Sequence, residues 1–299
     1  MIETRGLTKK YDGFQALSGL DMTVPSGSIY GLIGINGSGK TTVLRHLAGV
    51  LRQDAGEIRF DGEDVWENSA VKQHIGLVPD DLFFPNGYNL AGMKKIFAGS
   101  YAAWDDRRFH EMTQAFRLSE TARLRNFSKG MKKQAMFCLV MSTMPKYLLL
   151  DEPIDGLDPI VRKLVWKYIV DDVADREMSV LVSSHNLREM EGICDHIGIL
   201  SAGSMKMERE MDSLRGDLHK VQIAFGAGVP ENPFAGLNVL HHEKRGSVEL
   251  LLISAPRDEI ESRLRVHDPL IFDILPLSLE EIFIYELGGD DDEISSLIF

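Results

Sequence analysis

A chain of 299 residues, 44% of them hydrophobic, has material for one large domain and a smaller one, and its formal net charge of -12 argues against a DNA or RNA partner. Its longest apolar region, 136–150, is broken by Ser142, Thr143, Pro145 and Lys146, short of the about 20 residues of a membrane span, and Met1 to Arg5 open no secretory leader. Cys138 and Cys194, in apolar helical surroundings, read as buried thiols of a reducing compartment, so a cytosolic globular protein is expected.

Residues 1–33 read as short strands joined by turns at Asp12-Gly13 and Pro25-Ser26-Gly27. Tyr11, between Lys10 and Asp12, offers a ring for stacking on a nucleobase, or simply packs a hairpin face. The apolar run Ile29 to Ile33 then feeds Gly34-Ile35-Asn36-Gly37-Ser38-Gly39-Lys40-Thr41-Thr42, which fits the phosphate-binding pattern G-x-x-x-x-G-K-[ST]. A loop wraps a triphosphate only where side chains do not hold the backbone N–H groups away, and the helix starting near Lys40 turns its positive end to the same anion. Asn36, Gly37, Ser38 and Gly39 therefore line the phosphates, and Lys40 reaches the β and γ groups. Thr41 supplies a hydroxyl to Mg²⁺, and Thr42 closes the first helical turn.

The loop helix is expected over Lys40 to Leu51, followed by a turn, a short strand and a turn across 54–62. A strand at Ile75 to Val78 ends at Pro79-Asp80-Asp81, where a carboxylate beside the phosphate site can touch a metal. Helical periodicity from about 86 to 145 marks an inserted subdomain, near whose start Leu82-Phe83-Phe84-Pro85 gathers apolar groups, core or docking surface. Tyr147 to Leu150 is an apolar strand ending in Asp151-Glu152, charge placed where a parallel sheet opens onto ligand. Asp151 suits the Mg²⁺ shell and Glu152 the attacking water; a helix cap or an exposed strand end is the plainer alternative.

Asp155-Gly156-Leu157-Asp158-Pro159 turns into a helix running to about Arg176, and the strand Val180 to Ser183 delivers Ser184-His185-Asn186 to the sheet edge. A helix, a strand at His196 to Leu200 and the turn 201–204 complete residues 1–215 as a doubly wound α/β domain. Residues 216–288 read as a small α+β domain, with strands at Val221 to Phe225, Ser247 to Ile253 and Leu270 to Leu275 and helices at Arg257 to Arg265 and Leu279 to Glu286. A Gly/Pro-rich loop spans 226–233. Residues 289–299, with Asp290 to Glu293, form an acidic tail.

Taken together, the motifs of residues 1 to about 210 resemble the ATP-binding subunit of ABC transporters. The phosphate loop stands as its Walker A motif and the strand ending at Asp151-Glu152 as Walker B. Tyr11 stands as the adenine-stacking aromatic, Gly156-Leu157-Asp158 as the loop contacting a partner subunit, and His185 as the switch histidine. Phe127-Ser128-Lys129-Gly130-Met131-Lys132-Lys133-Gln134 takes the place of the signature, usually Leu-Ser-Gly-Gly-Gln; Lys129 and Met131 replace its glycine and glutamine while Ser128 and Gly130 are kept. Asp80 stands where the family has glutamine. The variant is similar to bacterial export-type subunits with a C-terminal appendix, a placement leaning on Pro276-Leu277-Ser278-Leu279-Glu280-Glu281-Ile282-Phe283.

The resemblance implies a P-loop NTPase of ABC type with a parallel-sheet core, an N-terminal antiparallel β part, a helical subdomain and an α+β appendix. It also implies ATP with Mg²⁺, the metal held by Thr41, Asp151 and Asp80, and catalysis by Glu152, His185 and Lys40. The signature residues Ser128, Lys129, Gly130 and Met131 would meet the ATP of a second subunit, in a homo- or heterodimer. Separate permease subunits place the chain on the inner face of the cell membrane. The alternative is an ABC-type ATPase without a permease, acting on ribosomes or DNA; neither a second cassette nor a long coiled coil appears in the sequence to favour it.

Overall fold

The computed structural model describes residues 1–213, 218–226, 232–275 and 277–281. It divides into two compact units, one of residues 1–185 with 193–208, the other of residues 186–192 with 209–299. The expected acidic tail, most of the expected helix 279–286, and parts of the 226–233 loop and of the 276–283 motif lie outside the described residues.

The first unit opens with two long strands where short ones were expected, β1 (Ile2–Tyr11) and β2 (Phe14–Val24). They form a hairpin because Asp12 and Gly13 both take positive φ, the backbone of a two-residue turn that matches strand twist. With β4 (Ala55–Phe60) and β5 (Glu63–Asp64) they make an antiparallel sheet of order β2-β1-β4-β5. Its inward side chains, Leu7, Leu17 and Leu20 among them, share one core with Val43, Leu44 and Leu47 of α1 (Lys40–Leu47) and with Leu32, Leu149 and Leu181 of a second sheet.

That second sheet runs β10-β9-β3-β8-β7-β6. It contains β3 (Ile29–Ile33), β6 (Ile75–Val78), β7 (Tyr147–Asp151), β8 (Ser179–Ser184), β9 (His196–Ser201) and β10 (Ser204–Glu210). The pairs β6/β7, β7/β8, β3/β8 and β3/β9 are parallel. Every residue of β3, β7 and β8 is buried, the signature of strands covered on both faces, and so their loops at the C-terminal ends are the places for polar chemistry.

Helix α1 stops at Leu47 rather than Leu51: the chain turns out at Gly49, whose N–H bonds His46 O while Val50 N–H bonds Arg45 O. A short helix α2 (Ser69–Lys72) precedes β6. The helical insertion comprises α3 (Leu90–Ser100), α4 (Asp106–Ala115), a single 3-10 turn at Leu124–Asn126 and α5 (Lys129–Met141). In α5 all nine residues from Lys133 to Met141 are buried, which explains the absence of a polar stripe from its sequence. After β7 come α6 (Pro159–Arg176), then β8 and α7 (Leu187–Met190). Cys138 and Cys194 are buried free thiols, and burial pushes both pKa values up. Among the described residues no helix is long and apolar enough to cross a membrane.

The second unit is an antiparallel sheet of order β12-β13-β11-β14, made of β11 (Leu218–Ala224), β12 (Val239–Arg245), β13 (Val248–Ser254) and β14 (Ile271–Leu275). Helix α8 (Arg257–Arg265) packs Ile260 and Leu264 onto Val221, Ile223, Leu251 and Ile253. Strand β12 adds to the three expected strands, since Val-Leu-His-His-Glu-Lys-Arg reads as a polar connection. Helix α7 groups with this unit: Arg188 forms a forked pair with Glu280 at 2.8 and 3.0 Å, and Glu191 accepts the Leu279 N–H.

Candidate functional site

The phosphate loop leaves β3 at a point where no side chain fits: a Cβ on Gly34 would collide with Leu200 O and Ser38 Oγ. Gly39 precedes α1 with φ 112, a conformation glycine adopts readily, and no side chain caps the helix start. The first N–H groups of α1 are thus left without a capping side chain. Ser38 Oγ is buried and has no hydrogen-bond partner. Uncapped helix N–H groups and an orphaned hydroxyl around one loop suit an anion with several acceptor oxygens.

A cavity of about 260 Å³ adjoins the loop, lined by Phe14, Ala16, Asn36, Gly37, Gly39, Lys40, Thr41, Thr42, Asp80 and Glu152. Lys40 Nζ donates to the carbonyls of Gly34 (2.6 Å) and Ile35 (3.2 Å) and lies 3.5 Å from Glu152 Oε1. Burial lowers the Lys40 pKa, offset in part by Glu152. An ammonium held by two loop carbonyls and one carboxylate at long range is well placed to exchange them for phosphate oxygens.

Asp151 ends β7 buried and accepts a hydrogen bond from Ser183 Oγ of the neighbouring β8 at 2.7 Å. Glu152 comes next with φ 45, a left-handed conformation that costs a non-glycine residue on the order of 1–3 kcal/mol. Its N–H donates to Ser183 Oγ (3.1 Å) and Ser183 O (3.3 Å). Its carboxylate lies between Lys40 and His185, whose Nδ1 is 3.0 Å from Oε2. Burial raises the Glu152 pKa, with Lys40 and His185 opposing, which brings the group nearer to the range of a useful proton acceptor. Asp155 joins this cluster: one ligand atom from each of Glu152, Asp155 and His185 lies within 4.8 Å of the others.

The remaining sequence candidates stand apart from that cavity wall. Ser128 is the N-cap of α5, its Oγ accepting the Met131 N–H at 3.1 Å; it is exposed, as is Lys129. Gly130 lies close to Gly156 O, so the signature and the turn before α6 touch within the chain. Asp158 caps α6, accepting from Ile160 and Val161 N–H at 3.1 Å, with Pro159 in the first turn. None of Ser128, Lys129, Gly130, Met131 and Asp158 lines the phosphate-loop cavity.

Two expectations meet different surroundings. Tyr11 does not line the cavity but sits under Lys9, 5.5 Å from ring centre to Nζ; the wall is Phe14, its partner across the hairpin turn. An Asp-Gly turn between Tyr11 and a second aromatic was the available signal for Phe14. Asp80, expected among the metal ligands, has its carboxylate engaged by Lys133 at 2.9 Å, with Lys129 at 3.7 Å. Although burial works to raise the Asp80 pKa, these two ammonium groups hold it below the usual value. Nothing local in the sequence marked Lys133.

A family model described as ABC transporter matches residues 17–155. Over 289 residues the chain is 36% identical to the ABC transporter ATP-binding protein YtrB of Bacillus subtilis (strain 168), an alignment covering 97% of this chain and 99% of that protein. The chain belongs to the ABC transporter ATP-binding proteins. This ABC subunit binds and hydrolyses ATP. It is also 30% identical, over 99% of its length and 94% of the relative's, to the daunorubicin/doxorubicin resistance ATP-binding protein DrrA of Streptomyces peucetius. A solved ATP binding subunit of an ABC transporter shares its fold with a TM-score of 0.68 at 26% identity, covering 72% of this chain and 92% of that one.

Proposed function

We propose that two copies of this ABC subunit enclose two ATP molecules between them, each γ-phosphate held by Lys40 of one copy and by Ser128 and Gly130 of the other. The carrying observation is the separation of parts within one chain. The cavity with Lys40 and Glu152 has no signature residue in its wall, while Ser128 stands exposed at a helix start.

Within the site the chain's own groups divide the task. The N–H groups at the start of α1 and the Lys40 ammonium take up phosphate charge, and Phe14 flanks the base. Glu152, its pKa raised by burial, orients and polarises the attacking water, and His185 holds that carboxylate in place while facing the γ-phosphate. Mg²⁺ suits the hard oxygen donors Thr41 and Asp151 and would neutralise phosphate charge there. Asp158 meets the second copy. Transfer of the phosphoryl group to water is then a matter of placement and charge. Once the bridging γ-phosphate is gone, the two copies separate, and a partner that senses the closed and open forms sees a shift in population.

That partner is a separate permease, and the subunit sits peripherally on the inner face of the membrane. Phe83, 79% exposed beside Asp80, Asp81 and Leu82, offers the apolar contact. Replacing Phe83 and Phe84 with Ser should release a folded subunit from membranes; undiminished membrane association would remove this contact. The Streptomyces relative is named for drug resistance, and we take this chain to drive an outward pump as well. The test of the central scheme is Glu152→Gln: ATP should still draw two copies together, seen as a doubled mass, with turnover abolished. Parental turnover in that variant would take Glu152 out of its role.

A further inference from the structure

Lys133 lies on α5, about a turn and a half beyond Ser128, and its side chain is only 2% exposed. An ammonium so buried must be matched by charge and by hydrogen-bond acceptors. Nζ donates to the backbone carbonyl of Glu152 at 2.7 Å and lies 2.9 Å from Asp80 Oδ1. The Glu152 carbonyl also accepts the Asp155 N–H, at the longer distance of 3.4 Å. On the other side of the same residue the N–H is held by Ser183. Both peptide groups of a residue in the left-handed region are therefore clamped, and one clamp is a side chain from a different subdomain.

We propose that Lys133 is a positioning residue for hydrolysis, holding the backbone of Glu152, and that Asp80 serves to hold Lys133 rather than to bind metal. The inference rests on Glu152 being the residue that directs the attacking water. Its geometry joins a helix, a loop and the backbone of Glu152. The helix that presents Ser128 carries Lys133, which reaches the carbonyl of Glu152, and the loop that carries Phe83 carries Asp80, which pairs with Lys133 Nζ. A displaced helix would pull on Glu152 through Lys133, which does not line the nucleotide cavity. Exposed Lys129, 3.7 Å from the same Asp80 oxygen, adds charge to this pairing but does not reach Glu152.

Lys133→Met keeps the volume and removes the charge. The expected result is a kcat lowered about 10- to 100-fold, the scale on which a reacting group displaced by about 1 Å costs rate. The KM for ATP should stay within about twofold of the parent, because nucleotide contacts are untouched. Lys133→Arg, which can still reach both oxygens, should recover most of the rate. Asp80→Asn should leave the Mg²⁺ concentration for half-maximal rate where it is, whereas loss of a metal ligand would raise it. Parental kcat in Lys133→Met, a loss confined to KM, or a raised Mg²⁺ requirement in Asp80→Asn would overturn the proposal. If Lys133→Met alone does not fold, the pair Asp80→Leu with Lys133→Met, which removes both charges, is read in its place. There the same fall in kcat supports the proposal and parental kcat refutes it. A Glu152→Gln protein that keeps turnover would instead overturn the role of Glu152 on which the proposal stands.

Discussion

Two helices of the first unit begin in opposite ways. Helix α1 starts at Gly39 with no side chain over its N–H groups, a buried serine hydroxyl unpartnered beside it, and a cavity in front. Helix α5 starts at Ser128, whose hydroxyl already satisfies the Met131 N–H, and the residue faces outward. The first end leaves donors that suit an anion. The second is already capped by its own side chain and, in the proposed pair, would meet a nucleotide held by the other copy. On the proposed scheme, the contrast separates binding, which one chain accomplishes, from cleavage, which takes two.

The variant that cuts deepest into this contrast is Lys40→Ala. Truncating one partner of a buried charge pair usually costs about 2–5 kcal/mol, and a loss of that size in ATP affinity of the single chain should appear by calorimetry. Retained affinity would mean that backbone alone binds the phosphates. Next, Ser128→Ala should leave single-chain ATP affinity unchanged while turnover falls on the order of 10²- to 10³-fold, as for loss of one group that meets developing charge. The same substitution removes a helix cap and should lower stability by about 1 kcal/mol in denaturant unfolding. A drop in affinity equal to the drop in rate would show that Ser128 belongs to its own chain's site, ending the contrast. The smallest effect concerns the cavity wall. Phe14→Ala should weaken ATP binding by on the order of 1–3 kcal/mol, the worth of a stacked base, and Tyr11→Ala by less. The reverse order would return the base to Tyr11.

The same physics decides which parts of the molecule are legible in the sequence. Strands β6 and β7 and helix α8 lie where their apolar patterns put them, because a strand buried on both faces or a helix with one packed stripe writes its bounds into local composition. The phosphate loop is legible because its backbone demands glycines at set spacings. Helix α1 ends early because a turn at Gly49 outweighs the helical preference of the residues around it. Strand β12 is not legible because its residues are half-exposed and polar, held by pairing to β13 rather than by burial. The engagement of Lys133 is hidden for a deeper reason. A lysine on a helix reads as solvated, and only the chain's return through Asp80 and Glu152 supplies the oxygens that let it be buried.

The claim that cleavage needs groups from two chains is tested most directly by mixing two crippled proteins, one carrying Lys40→Ala and the other Ser128→Ala. In a mixed pair one nucleotide meets an intact Lys40 on one chain and an intact Ser128 on the other, so the mixture should hydrolyse ATP well above the sum of the separate variants. A mixture no faster than that sum would contradict the account.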